Sequence, residues 1–275
     1  MKKILSTLLL LALFYGNQAD AALSPSPQSA FNDIPVSYKD GCHANVNQAR
    51  VKVCKYGDTI EFNYTVAIIG DSHAGHWLGA LQAFAKKYDI RIVYATKSGC
   101  SMTSQYMPKY PSCNEWNKNL IPTIARYHPD LVLTKADYSL ASVKTVPSGF
   151  IDKFNELKKR NIEVFAIRDT PRFAVNIPAC VSKYGADSIK CKTKAMPKPS
   201  NWSKLKTKPT NVHYFDYTFR QCDNTYCHPV KNNIITVRDQ HHMTNTYSQT
   251  FRTYILKDMM PILREVRARK LASTK

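Results

Sequence analysis

Val66-Ala67-Ile68-Ile69-Gly70-Asp71-Ser72-His73-Ala74 is the stretch from which this 275-residue chain is read. An apolar run breaks at Gly70 and then presents an acid, a hydroxyl and an imidazole in succession. Tyr64 to Ile69 has the length and β-branched content of a buried strand, and Ala74 to Tyr88 carries Trp77, Leu78, Leu81 and Phe84 at helical spacing. Ser72 therefore falls where a strand hands over to a helix. Such a corner lifts a side chain clear of the sheet and aims unpaired N–H groups of the first helical turn at whatever binds there. A bare Gly-Asp-Ser is also ordinary turn chemistry, so the corner needs a partner before it implies a reaction.

That partner is Arg238-Asp239-Gln240-His241-His242-Met243-Thr244, which follows an expected strand, Asn233 to Val237, and precedes an expected amphipathic helix, Thr244 to Arg269. A serine hydroxyl attacks only if a base takes its proton, and the base needs a group that holds its tautomer and stabilises the imidazolium. Asp239 and His242 are three residues apart and can lie on one side of a tight turn. The chain order Ser, Asp, His suits this chemistry, and nucleophilic serines of α/β hydrolases sit at a similar strand-to-helix corner. His241 is the competing base; its spacing from Asp239 favours it less.

With both blocks in view, the sequence resembles the SGNH/GDSL hydrolase superfamily, and within it the SGNH domains that are fused to, or work beside, membrane acyltransferases of family 3. The matching residues are Gly70-Asp71-Ser72-His73-Ala74, then Asp239-x-x-His242-Met243-Thr244, with Cys222-Asp223-Asn224-Thr225-Tyr226-Cys227 before the second block. The resemblance implies a flavodoxin-like three-layer α/β/α sandwich with a mostly parallel sheet, a catalytic triad of Ser72, His242 and Asp239, and acyl-ester chemistry on glycans. It also implies an oxyanion site at the Ser72 and Gly99 N–H groups, and lets the His73 N–H face the oxyanion while its side chain packs or caps. Where the superfamily carries a Gly-x-Asn-Asp block, the strand Asp130 to Thr134 runs into Lys135-Ala136-Asp137, with no Asn.

The rest of the chain alternates strand and helix: strand Ile90 to Ala95, helix Asn114 to Tyr127, strand Leu131 to Thr134, helix Ser148 to Arg160, strand Ile162 to Ile167, strand Asn211 to Tyr217. This calls for parallel strands with helices on both faces, and for ligands at the C-terminal strand edge. Ser72, Gly99, Lys135, Asp169 and Asp239 all fall at expected strand ends. Three parts are expected: a signal peptide over residues 1–21, a disulfide-containing extension over 22–63, and the SGNH-like domain over 64–275 with an insertion at about 171–210. Val175 to Lys208 is aperiodic and reads as either an ordered flap or a decoration.

Met1 to Ala21 has Lys2 and Lys3, an apolar run from Ile4 to Tyr15 and the small-x-small Ala19-Asp20-Ala21, a secretory signal that implies a periplasmic or secreted protein. The run is short for a membrane span, so the mature protein is not expected to be integral to a membrane. Export makes the eight cysteines read as disulfides. Spacing suggests the local pairs Cys42–Cys54, Cys100–Cys113, Cys180–Cys191 and Cys222–Cys227, the last stiffening the approach to Asp239. No pair of facing Cys-x-x-Cys motifs is present, so a zinc site is not expected, nor any other cofactor. His76 suits a structural role, and His213 and His228 carry no partner pattern.

Lys2, Lys3 and Asp20 precede the cleavage point, so the formal charge of +19 becomes +18 in the mature chain. Such an excess suits an anionic glycan or envelope surface as partner. Nucleic acid would need an aromatic or helical reading element among the basic residues, and none is evident. The functional expectation is O-acyl transfer to an envelope glycan, with a separate membrane acyltransferase as acyl donor. The alternatives are a secreted acetylesterase using the same triad, and a glycan-binding module on a degenerate scaffold.

Overall fold

The computed structural model of the chain describes residues 22–140 and 142–273; the expected signal peptide lies outside them. Strands β1 (His43–Ala44), β2 (Cys54–Gly57), β3 (Tyr64–Gly70), β4 (Ile90–Lys97), β5 (Leu131–Lys135) and β6 (Glu163–Ile167) are followed by β7 (Thr193–Lys194) and β8 (Val212–Phe215). The main sheet runs β1-β4-β3-β5-β6-β8, with β2 antiparallel to β4 and every other pairing parallel. Counting only the parallel strands from β3 to β8, the order is 2-1-3-4-5, the flavodoxin-like arrangement. Both faces of the central strands are buried: Val66, Ile68 and Leu133 belong to one apolar cluster and Ala67, Ile69 and Val132 to the other. That explains the near-continuous apolar runs, which lack the alternation of a half-exposed strand.

Helices cover both faces. Leu78–Ala85 and Arg252–Ser273 pack through Leu78, Leu81, Ile255, Met259 and Leu263 on one side. On the other, Pro111–Ala125 and Ser148–Lys158 contribute Trp116, Leu120, Phe150 and Phe154. No helix among the described residues is long and apolar enough to cross a membrane. The four disulfides are Cys42–Cys54, Cys100–Cys113, Cys180–Cys191 and Cys222–Cys227.

Three expectations change. The helix expected over Ala74 to Tyr88 is divided into Ser72–Gly75, Leu78–Ala85 and a 3-10 turn, Lys86–Tyr88. The division lets the first turn tilt so that Asp71 caps it, accepting from the His73 and Ala74 N–H groups. The expected strand Asn233 to Val237 shrinks to Ile234–Ile235, paired with Val230–Lys231 in a separate hairpin. Asp239 therefore does not leave the main sheet. Thr244 caps a short helix, Asn245–Gln249, ahead of Arg252–Ser273, so the single long helix is broken as well. The aperiodic stretch is partly built: it holds the helix Ile177–Tyr184 and β7, which pairs with Tyr226–Cys227.

Candidate active site

Ser72 sits one residue beyond Asp71 at the end of β3, where Gly70 takes a φ of 130° that L side chains rarely adopt. A Cβ on Gly70 would also press on Ala74 and on the Thr134 hydroxyl at 3.1 and 3.2 Å, so the corner requires glycine. Ser72 Oγ lies 2.9 Å from His242 Nε2, and His242 Nδ1 lies 2.6 Å from Asp239 Oδ2. The other Asp239 oxygen accepts the His241 and His242 N–H groups, both at 2.8 Å, a tight Asx-type turn made possible by the three-residue spacing. Arg238 N–H donates to His242 O, and Ile177 N–H and Phe173 N–H donate to Asp239 O and Gln240 O, so the start of the aperiodic stretch and the residues just before it brace this turn from outside the sheet.

Burial alone would raise the Asp239 carboxyl; the hydrogen bonds from His242 and from the His241 and His242 N–H groups hold it well below the usual carboxylate range. His242 is lowered, by desolvation, against the opposing pull of Asp239. It is therefore a neutral imidazole at neutral pH, with Nε2 toward the hydroxyl when Nδ1–H is donated to Asp239. The Ser72 and Gly99 N–H groups make no hydrogen bond to a described residue, and both residues line the cleft. The His73 N–H differs from expectation: it donates to Asp71 Oδ1 at 3.0 Å and is not free for an oxyanion.

Beside this array is a second acid–imidazole pair that the sequence did not single out. His73 Nδ1 lies 2.5 Å from Asp169 Oδ1, and His73 Nε2 lies 2.9 Å from His241 Nδ1. Asp169 Oδ2 accepts from the Ser139 N–H and hydroxyl. Burial opposes ionisation of Asp169, but His73 and Lys135 hold it far below its ordinary value. The expected competitor His241 is thus engaged with His73 rather than with Ser72, and burial with His242 beside it lowers it to about 4. A third buried pair stands where the Gly-x-Asn-Asp block would be: Lys135 Nζ is 2.5 Å from Asp71 Oδ2, which also accepts from Ser101 Oγ at 2.6 Å. Burial would raise Asp71; Lys135 and His73 outweigh it and hold the carboxyl at about 2.

His76 is buried, with both ring nitrogens unpartnered among the described residues, against His73 and His242. His213 and His228 lie elsewhere and do have partners, Glu163 and Asp223. Among the described residues, His73, His241 and His242 have candidate ligand atoms within 4.8 Å of one another, but every ring nitrogen except His241 Nε2 is engaged with Asp169, Asp239, Ser72 or another of the three. The cleft wall also includes Phe31, Tyr38 and His43 from the disulfide-containing N-terminal extension. His43 is fixed by Thr96 and Ser98 at 2.7 and 3.0 Å and stacks on Tyr38. The only sequence signal for Asp169 and Lys135 was their place at strand ends; nothing marked Phe31 or Tyr38.

A family model described as SGNH domain (fused to AT3 domains) matches residues 41–257, most of the chain. A solved structure, the periplasmic domain of a lipopolysaccharide acetyltransferase from Salmonella serovar Paratyphi A, is similar in fold, with a TM-score of 0.55 and 18% identity over 73% of this chain and 85% of that one. No curated protein matches the chain by sequence.

Proposed function

The chain belongs to the family of SGNH domains fused to AT3 domains, and from that premise we propose that it is an exported serine-dependent acyl-ester enzyme that transfers an acyl group, most simply acetyl, to a hydroxyl of an envelope glycan. The observation that carries the reading is the Ser72–His242–Asp239 chain of contacts at 2.9 and 2.6 Å. His242 Nε2 takes the Ser72 proton as Oγ attacks the acyl carbonyl. The negative charge on the carbonyl oxygen is met by the Ser72 and Gly99 N–H groups, donors already free of internal partners. Collapse breaks the bond to the leaving group, which receives the proton from His242, and leaves an acyl-serine. A glycan hydroxyl then loses its proton to the same imidazole and attacks the acyl-serine, and Ser72 regains a proton as the new ester leaves.

Water in place of the sugar would give hydrolysis, the second reading. Transfer is placed first because the family pairs this domain with membrane acyltransferases; the acyl donor would be such a partner. Lys135 does not fill the role of the missing Asn in this reading, since its ammonium is bound to Asp71. The oxidised chain from Ala22 onward, given p-nitrophenyl acetate with and without soluble glycans, should release p-nitrophenol. Acetylated glycan formed at the expense of free acetate supports transfer; free acetate alone supports hydrolysis. No turnover above background in the wild type overturns both.

A further inference from the structure

Each carboxylate at the serine cleft already has a cation or imidazole: Asp71 has Lys135, Asp169 has His73, and Asp239 has His242. Two guanidinium groups that line the same cleft have no such counterpart among the described residues. Arg238 is only 9% exposed, and the contacts of its guanidinium among the described residues are the Tyr38 hydroxyl at 3.5 Å and the Tyr38 ring. Among the described residues the Arg172 guanidinium reaches only His73 Nε2, at 3.4 Å. Among the described residues the Nε of each is buried and without a partner, as is the Nε of Arg168, so what sets the two apart is the missing counter-charge. Elsewhere in the fold a comparably buried guanidinium, that of Arg168, is paired with Asp216 at 2.8 Å. Desolvating a guanidinium without a counter-charge is costly, and two such groups beside one nucleophile call for an anion from outside the chain.

The walls around them suit a sugar. Phe31 is 59% exposed at the cleft rim, with Tyr38 and Tyr138 also lining it. Phe31 and Tyr38 precede the region matched by the family, residues 41–257, so this wall is a feature of the chain's own N-terminal segment. That segment is held in place: Asp33 accepts the Asn245 and Thr246 N–H groups, and Ser37 donates to Tyr94. We propose that the cleft carries a subsite for an oxyanionic sugar, a uronic acid or a sugar phosphate. Arg172 and Arg238 bind the anionic group there, while the exposed Phe31 contacts the sugar ring; Tyr38 and Tyr138 line the wall with rings already engaged by His43 and Arg238 and by Lys135 and Phe150. Planar guanidinium forks match carboxylate and phosphate oxygens, and aromatic rings cover the apolar face of a pyranose.

This identifies the acceptor class for the proposed transfer and rests on that reading, but it can be tested without turnover. Equilibrium binding by calorimetry would use the wild type and Ser72→Ala, with a neutral gluco-oligosaccharide, an oligogalacturonate of the same length and a phosphorylated oligosaccharide. The anionic ligands should bind about tenfold or more tightly than the neutral one at roughly 0.15 M salt, as a charge-assisted contact implies. Arg172→Gln should remove about tenfold of that preference, Arg172→Lys should restore part of it, and the neutral ligand should hardly respond. Arg238→Gln should act likewise; should it not fold, as judged by circular dichroism, the partly exposed Arg172 carries the test alone. The anion with the larger preference identifies the carboxylate or phosphate source. Equal affinity for neutral and anionic ligands overturns the subsite, as does a preference that survives Arg172→Gln, because the general positive charge would then account for it. A chain that is inactive on p-nitrophenyl acetate yet shows the Arg172-dependent preference loses the serine chemistry and keeps the subsite. An active chain without the preference does the reverse.

Discussion

Two carboxylate–imidazole pairs stand side by side in this fold with nearly equal contact lengths, 2.6 Å for Asp239–His242 and 2.5 Å for Asp169–His73, yet they are built for opposite ends. In the first, both side chains are about a fifth to a quarter exposed and the far nitrogen meets a hydroxyl at the cleft. In the second, the side chains are 0 to 3% exposed and the far nitrogen ends on another imidazole. An Asp–His pair is therefore not a catalytic signature by itself. On the proposed assignment, what the far nitrogen touches, and whether a substrate can reach it, separates a base from a buried strut that ties β6 to the turn after β3.

The largest effects should fall on the exposed pair. Ser72→Ala or His242→Ala should lower kcat on p-nitrophenyl acetate by about 10⁴ to 10⁶, and Asp239→Asn by about 10⁴, measured by p-nitrophenol release at saturating ester. Loss of the same size in Asp169→Asn with an unchanged melting temperature would break the comparison. Next in size is Lys135→Met, which strands the buried Asp71 carboxylate and should cost about 3–5 kcal/mol, read as a lowered unfolding midpoint in denaturant. Asp71→Asn combined with Lys135→Met should recover part of it, since the pair is removed together.

Asp137 sharpens the contrast from the buried side. One of its oxygens accepts the Asp169 N–H and the other is buried without a partner among the described residues; desolvation raises its carboxyl from 3.8 to about 6. The folded state thus binds the proton more tightly than the unfolded state. This group's contribution to stability grows as pH falls from about 6 toward 3.8, and at pH 7 it is unfavourable. Asp137→Asn should therefore stabilise by about 2 kcal/mol at pH 7, a difference that shrinks near pH 4. The smallest effect is in the pH profile. Because His242 is lowered below 6.5, the rate should be flat at neutral pH and fall only as pH drops through that lowered value. Asp239→Asn removes a group that raises the imidazole, so the fall should move to still lower pH. A half-activity point above 6.5 in the wild type contradicts the assignment.

The parallel sheet was legible because strands buried on both faces write themselves as apolar runs, as Val66 to Ile69 and Leu131 to Leu133 do. The meeting of Ser72, His242 and Asp239 was legible because a hydroxyl, an imidazole and an acid fell at two corners of the chain and a three-residue turn suits Asp239 and His242. Contacts across the sheet edge were not: His73 meets Asp169 ninety-six positions away, and a residue type at a strand end does not say which neighbour it will meet. Helix breaks were missed for a different reason. The apolar spacing of Ala74 to Tyr88 is helical throughout, whereas the break near His76 and Trp77 comes from docking of that segment, with Ser248 donating to the His76 carbonyl. Phe31 and Tyr38 carried no signal at all, since an aromatic residue in a short irregular segment reads the same whether it lines a cleft or packs beneath one.

The central claim is that His242, rather than His241 or His73, makes Ser72 a nucleophile. It is tested most directly by covalent labelling with a fluorophosphonate, located and timed by mass spectrometry of the intact and digested chain. A single adduct on Ser72 is predicted, with a labelling rate that falls about a thousandfold or more in His242→Ala and far less in His241→Ala. An adduct on another residue, or an unchanged rate in His242→Ala, would contradict it.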